Sequence, residues 1–225
     1  MIDFVAARRM MVDGQVRTSD VTDLRLIAAM LEVPRERFLP ATKAGLAYLD
    51  LDLPIMEGEA RAPARYLLKP MVLAKLIQAA EIGLRDHVLD VGCGSGYSSA
   101  TLARLAGSVV ALEQEPLLAR QAAENLQAIG ARNVTVVTGP LLLGWPAGAP
   151  YDAILLNGAT EIEPTALYRQ LKHGGRLVAV MGRASAGKAM LYRALGHEGE
   201  VGGRPIFDAA APLLPGFAEQ ATFVF

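Results

Sequence analysis

Three glycines at alternate positions, Gly92, Gly94 and Gly96, follow an aspartate, Asp90, in the stretch VLDVGCGSGYSSA. Glycines in that rhythm let the backbone turn tightly and approach a ligand, and a helix beginning there offers unpaired N–H groups. The dinucleotide fingerprint places its third glycine three residues after the second. Here that position is Tyr97, and the third glycine comes one residue early. Asp90 gives the site a sign. A carboxylate there repels a pyrophosphate but suits a ligand carrying an ammonium and a sulfonium, the two charges of S-adenosyl-L-methionine. Glu113, in VVALEQE, closes the next apolar run at about the interval where such folds present a carboxylate to ribose hydroxyls. Asp90, Gly92, Cys93, Gly94, Ser95, Gly96, Tyr97, Glu113 and Gln114 are therefore the candidate cofactor residues. Cys93, the only cysteine, has no base beside it in sequence and reads as a small filler between glycines.

Elements able to position these residues are legible around them. Short apolar runs HVLDVG, SVVALEQ, NVTVVTG, DAILLNG and RLVAVMG read as strands, separated by helical patterns at residues 95–106, 115–129 and 163–172. That alternation predicts an α/β fold with a doubly wound, mostly parallel sheet covered on both faces. A helix from Pro70, PMVLAKLIQAAEI, precedes the first strand, with proline in its first turn. Upstream, FVAARRMMVDGQV and DLRLIAAMLEV are helical. The second has apolar positions Leu24, Ile27, Ala28 and Leu31, an N-cap at Asp20 or Thr22, and a stop at Pro34. AYLDLDLPI alternates apolar and acidic residues and reads as a strand. Beyond Gly182, AMLYRAL, GRPIFD and the terminal TFVF form strands without intervening helices, an antiparallel appendage at one sheet edge. The expected organisation is one domain over residues 1–225: a helical N-terminal extension and substrate loop at 1–69, a cofactor-binding core at 70–182, and an antiparallel part at 183–225.

Composition narrows the function classes. The 225 residues are 52% hydrophobic and 20% charged with a formal net charge of -1, a balance that suggests neither disorder nor a polyanion-binding surface. No nucleic-acid partner is expected. A single cysteine leaves no internal disulfide and no cysteine-rich zinc site, and His87, His173 and His197 lack metal-ligand spacing, so no metal is expected. Arg8, Arg9 and Asp13 interrupt the first residues too early for a secretion signal, and no charge-free window reaches membrane-spanning length. The expectation is a cytoplasmic protein without a membrane partner.

At the glycine turn the chain resembles class I S-adenosylmethionine-dependent methyltransferases. More narrowly, it resembles the protein-L-isoaspartate O-methyltransferase family. The N-terminal stretch MVDGQVRTSDVTDLRLIAAMLEVPRERFLP carries that family's pattern at Met11, Val12, Gln15, Ala29, Met30, Val33, Pro34, Arg35, Phe38 and Pro40. AYLDLDLPI, GWPAGAPYDAILLNGA and QLKHGGRLVAVMG match further family stretches, from about residue 10 to about residue 182. The resemblance implies a Rossmann-like monomer that transfers a methyl group from S-adenosyl-L-methionine to the free carboxylate of an L-isoaspartyl (or D-aspartyl) residue in a damaged protein or peptide. The ester then cyclises to a succinimide unaided, the first step of repair. A carboxylate is already an ionised nucleophile at neutral pH, so such a site asks for alignment and dryness rather than a base.

Three departures bear on the substrate. Where the family has a Gly-Gln-Thr-Ile-Ser segment, this chain begins Gly58, Glu59, Ala60, Arg61, Ala62, and GEARAPARYLLKP contains no serine or threonine. Pro140 stands where the family has an aspartate near the adenine amino group, and Asn157 and Gly158 replace a threonine-alanine pair. Arg61, Arg65 and Asn157 are the candidates for substrate contact, the arginines because a guanidinium holds a carboxylate with two parallel hydrogen bonds. Each also has an ordinary reading, as solvated loop arginines and a strand-terminating asparagine. The alternatives are a methyltransferase fold acting on another acceptor, or a non-catalytic S-adenosylmethionine-binding protein.

Overall fold

The computed structural model describes residues 2–58, 63–182, 186–196 and 199–219. The chain opens with helix α1 (Phe4–Met11), capped by Asp3, passes through a π-helical turn at Val12–Val16, and reaches α2 (Leu24–Glu32). Asp23, rather than Asp20 or Thr22, caps α2: its Oδ1 accepts from the N–H groups of Arg25 at 2.8 Å and Leu26 at 3.3 Å. Asp20 instead makes the preceding turn, at φ 62°. The buried face of α2 is Leu26, Ile27, Ala29 and Met30, while Leu24 is exposed, so the apolar stripe is shifted from the one its spacing predicts. Val33, Phe38 and Leu39 are buried in the same core past the helix.

Strand β1 (Leu53–Met56) pairs antiparallel with β2 (Arg65–Leu67). The acidic alternation before it is not strand pleating. Residues Ala41–Leu46 form a 3-10 helix, and the aspartates serve the next helix, α3 (Pro70–Ala79). Asp52 Oδ1 accepts from Lys69 N at 2.9 Å and Asp50 Oδ1 from Met71 N at 3.3 Å, at the end where a helix leaves its N–H groups unpaired.

From here strand and helix alternate: β3 (His87–Val91), α4 (Tyr97–Leu102), β4 (Ser108–Glu113), α5 (Pro116–Ala128), β5 (Val134–Thr138), β6 (Tyr151–Thr160), α6 (Thr165–Tyr168) and β7 (Leu171–Met181). β8 (Lys188–Ala194) and β9 (Val201–Asp208) follow. One sheet contains all seven strands from β3 onward, in the order β5-β4-β3-β6-β7-β8-β9. β3 to β7 run parallel, and β8 and β9 are antiparallel, as expected. Alternate residues feed opposite layers: Val88, Val109 and Ala111 join the α2–α3–α4 side, whereas Leu89, Val91, Val110 and Leu112 face the other. Of the helices, α6 is much shorter than the 163–172 pattern. Gln170 turns its carbonyl to Tyr151 N at 2.8 Å, and Leu171 already pairs with Tyr151. α4 is also shorter than residues 95–106: the glycine turn runs to Gly96, and the helix gives way to turns after Leu102. TFVF lies outside the described residues.

The chain steps outward from β3 to β5 and then returns to β6 on the other side of β3. That reversal opens a crevice at the carboxyl ends of β3 and β6, the place where open α/β sheets bind ligands.

Candidate functional site

The turn leaving β3 uses its glycines as the sequence suggests. Gly92, Gly94 and Gly96 have φ of 79°, 58° and 100°, a region costly for residues with a Cβ. The N-terminal region fastens this turn from outside. Ser95 Oγ donates to the Phe38 carbonyl at 2.6 Å, and the Phe38 ring meets Tyr97 edge-on at 5.6 Å. Fully buried Arg35 lies 4.7 Å from the Tyr97 ring centre and donates to the carbonyls of Ala47 and Leu68, both at 2.7 Å. Asn125, from α5, donates to the Ser95 carbonyl at 3.0 Å.

Behind the glycines lies a buried polar chain. Asn157 Nδ2 donates to Ser98 Oγ at 2.9 Å and to the Gly92 carbonyl at 3.2 Å, and Ser98 and Ser99 each donate to Asp90 Oδ2 at 2.6 Å. Asp90 Oδ1 and Asn157 Oδ1 are buried without a hydrogen-bond partner. Burial, with Glu113 nearby, pushes the Asp90 pKa up to about 6 despite the two serine donors and Arg65. Burial beside Asp90 and Glu113 also drives the Cys93 thiol well above its usual range, so Cys93 is no nucleophile and packs as a filler.

Glu113 ends β4 fully buried. Its Oε2 accepts from Gly94 N at 2.7 Å, and its Oε1 accepts from Gln114 N at 2.9 Å and Glu115 N at 3.1 Å. Oε1 also receives the Arg65 guanidinium in an ion pair. Arg65 enters from β2, and its Nη2 donates to the Gly92 carbonyl at 3.2 Å. The guanidinium thus bridges Glu113 and Gly92. Two apolar side chains complete the cover: a Cβ on Gly94 would stand 2.6 Å from Ile55 Cδ1, and one on Gly158 would stand 2.6 Å from Leu214 Cγ. Leu214 is held there because Leu214 N donates to the Ala159 carbonyl at 3.0 Å and Ala159 N to the Pro212 carbonyl at 2.8 Å.

All nine candidate cofactor residues lie along the carboxyl ends of β3 and β4 and the turn leading into α4, with Gln114 contributing through its backbone. Arg61 lies outside the described residues. Arg65 is turned inward onto Glu113 and is 2% exposed, so it does not face an open acceptor site. Asn157 does not terminate its strand: β6 continues to Thr160 through an irregularity between Leu155 and Ala159. Pro140 sits exposed at the start of a 3-10 turn. Ser98 and Ser99 are site residues that the sequence reading misses; the signal that could have found them is a pair of hydroxyls one residue past the glycine run, in the first turn of α4. Ile55 and Leu214 had no local signal, because each reaches the turn from a distant segment. Among the described residues no cluster of His, Cys, Asp or Glu could hold a metal ion, and no helix is long and apolar enough to cross a membrane.

Set against S-adenosyl-L-methionine, the chemistry of this crevice fits, while the space on its Asn157 side is filled. Asp90, Glu113 and the Gly92 carbonyl are all acceptors, and the orphaned Asp90 Oδ1 and Asn157 Oδ1 call for donors. Arg65 already supplies the cation, and the cavity between Arg65, Asn157 and Leu214 is ≈ 10 Å³, room for about one water. A site for a ligand of nucleoside size needs about 300 Å³ or more. As arranged, Arg65 and Leu214 fill the crevice on its Asn157 side, while a cavity of ≈ 230 Å³ opens beside Ser95, Ile55 and Asn125 on the other side of the turn.

Comparison with known proteins places this fold. The family model for protein-L-isoaspartate(D-aspartate) O-methyltransferase matches residues 7–201. Protein-L-isoaspartate O-methyltransferase 1 of Rhodopseudomonas palustris is 42% identical over 179 residues, 80% of this chain and 71% of that protein. The enzyme of Methanoculleus marisnigri is 41% identical over 175 residues, 78% of this chain and 77% of its own. A solved protein-L-isoaspartate O-methyltransferase superposes with a TM-score of 0.78 at 24% identity, covering 93% of this chain and 66% of its own. A Plasmodium falciparum structure assigned to the same activity, bound to S-adenosyl-L-homocysteine, gives a TM-score of 0.72 at 17% identity and covers 92% of this chain and 97% of its own. With the matched model spanning most of the sequence and the expected doubly wound sheet in place, this chain belongs to the protein-L-isoaspartate O-methyltransferase family.

Proposed function

We propose that this protein transfers a methyl group from S-adenosyl-L-methionine to the free carboxylate of isoaspartyl residues in damaged proteins, initiating their repair. The observation that carries the reading is the family match over residues 7–201, across the glycine turn and the N-terminal segment fastened to it. Asp90, Glu113 and the turn from Gly92 to Tyr97 form the proposed cofactor set, with Cys93 and Gln114 contributing backbone and packing. The acidic character of this set favours a cationic ligand over an anionic one. No histidine or cysteine need act as a base, since the acceptor is ionised at neutral pH.

The test is methyl transfer from labelled cofactor to a peptide containing one isoaspartyl residue, with the normal aspartyl peptide as control. Labelling confined to the isoaspartyl peptide supports the proposal, and equal or absent labelling of both overturns the specificity. A second reading, transfer to a different acceptor, is favoured by the lack of serine and threonine between Gly58 and Pro70 and by the inward turn of Arg65. Introducing Ala60→Thr and Ala62→Ser together discriminates. A rise in isoaspartyl labelling points to a diverged repair site, whereas no change points to another acceptor.

A further inference from the structure

The Arg65 guanidinium lies between the two acceptors that an incoming S-adenosyl-L-methionine would need, and we propose that Arg65, with Ile55 and Leu214, is an internal plug that competes with the cofactor. This rests on the proposed cofactor set. Three independent contacts meet in one place. Arg65 pairs with Glu113 and donates to the Gly92 carbonyl, so it satisfies with one side chain groups lying on two adjacent strands' ends. Ile55, in the register irregularity of β1 next to Met56, the residue that pairs with Arg65, fills the space that Gly94 leaves open. Leu214, from the segment after β9, fills the space left by Gly92 and Gly158.

None of the three belongs to the sheet that builds the crevice. β1 and β2 form a separate two-stranded sheet, short on both sides. Two such strands are marginal by themselves and depend on what they pack against. The Leu214 segment is held to Ala159 of β6 by one isolated bridge, with Leu214 N donating to the Ala159 carbonyl and Ala159 N to the Pro212 carbonyl. Withdrawal of the Arg65 guanidinium leaves the Glu113 carboxylate its three backbone donors, from Gly94, Gln114 and Glu115, and frees an acceptor position for a further donor. Ribose hydroxyls are such donors. Cofactor and plug therefore share Glu113 and exclude one another, and apparent affinity falls by the fraction of molecules in which the plug is withdrawn.

The test combines binding and hydrogen exchange on the full chain, with S-adenosyl-L-homocysteine as the probe. Leu214→Ala enlarges the space without touching a charge, and Arg65→Met removes the competing cation. Each is expected to tighten binding by about tenfold or more relative to the parent. In the parent protein, the probe should slow exchange at Gly94 and Gly96 while speeding it at the amides of Leu53, Ile55, Met56 and Arg65–Leu67. Binding that leaves both variants at parental affinity, with β1 and β2 unchanged or protected, overturns the plug and leaves the cofactor assignment standing. Binding by the variants but not by the parent supports the plug. Failure of all three proteins to bind overturns the cofactor assignment itself, and the plug with it. Should Arg65→Met not fold, Leu214→Ala and the exchange pattern decide alone.

Discussion

Arg65 and Glu113 form an ion pair sealed from solvent on both sides, 2% and 0% exposed, at the mouth of a turn whose glycines would otherwise receive a ligand. Removing one partner from such a pair strands a buried charge and costs about 3–5 kcal/mol, even though the intact pair adds little net stability. Arg65→Met and Glu113→Gln should each lower the urea midpoint by that order, and the double variant by clearly less than their sum. Additive losses in the cycle would show that the two side chains do not act on each other.

Asp90 makes stability depend on pH in the direction opposite to an ordinary salt-bridged carboxylate. Its folded pKa is raised from 3.8 to about 6, so the folded state holds the proton more tightly than the unfolded chain. Its contribution is then fully present below pH 4 and is lost as pH rises through about 6, a change on the order of 3 kcal/mol. Asp90→Asn keeps an acceptor for Ser98 and Ser99, and should flatten the pH dependence between 4 and 7 and gain stability at neutral pH. Chemical denaturation at several pH values measures this, and an unchanged slope would place the Asp90 pKa near its ordinary value.

Gly94 joins two constraints, a φ of 58° and the close approach of Ile55. Gly94→Ala should destabilise by more than the ~1–2 kcal/mol of backbone strain alone. In an Ile55→Ala background the added cost should fall back toward that value. Thermal melts of the four proteins separate the steric part from the conformational part, and equal costs in both backgrounds would mean that Ile55 does not pack on the glycine.

Asp23→Ala should cost about 1 kcal/mol by removing the side-chain cap of α2, while Asp20→Ala should not act through that cap. The midpoint of urea unfolding for the two variants checks it. Equal losses would contradict the observed capping.

Local pattern made much of this molecule legible. Apolar runs separated by helical periods fix the order of β3 to β7, and the glycine spacing with Asp90 and Glu113 locates one crevice. Patterns failed where residues serve a distant partner. Asp50 and Asp52 look like the polar half of a strand because their work, capping α3, is done 17 to 21 residues away. The α2 stripe is misphased: the helix buries Leu26, Ile27, Ala29 and Met30, and Phe38 and Leu39 join the same core beyond Pro34. Leu24, the first residue of that helix, consequently faces solvent. Arg65 illustrates the same limit at the site itself. In sequence it is one basic residue in a proline-containing loop. Its partner lies 48 positions ahead, and only the packing of β2 against the ends of β3 and β4 brings the two charges together.

The most direct measurement is the mass of an isoaspartyl peptide after incubation with the protein and S-adenosyl-L-methionine, beside its aspartyl twin. Repair methylation predicts one methyl ester on the isoaspartyl peptide alone, followed by loss of methanol to a succinimide. An unmodified isoaspartyl peptide, in the presence of demonstrated cofactor binding, would contradict it.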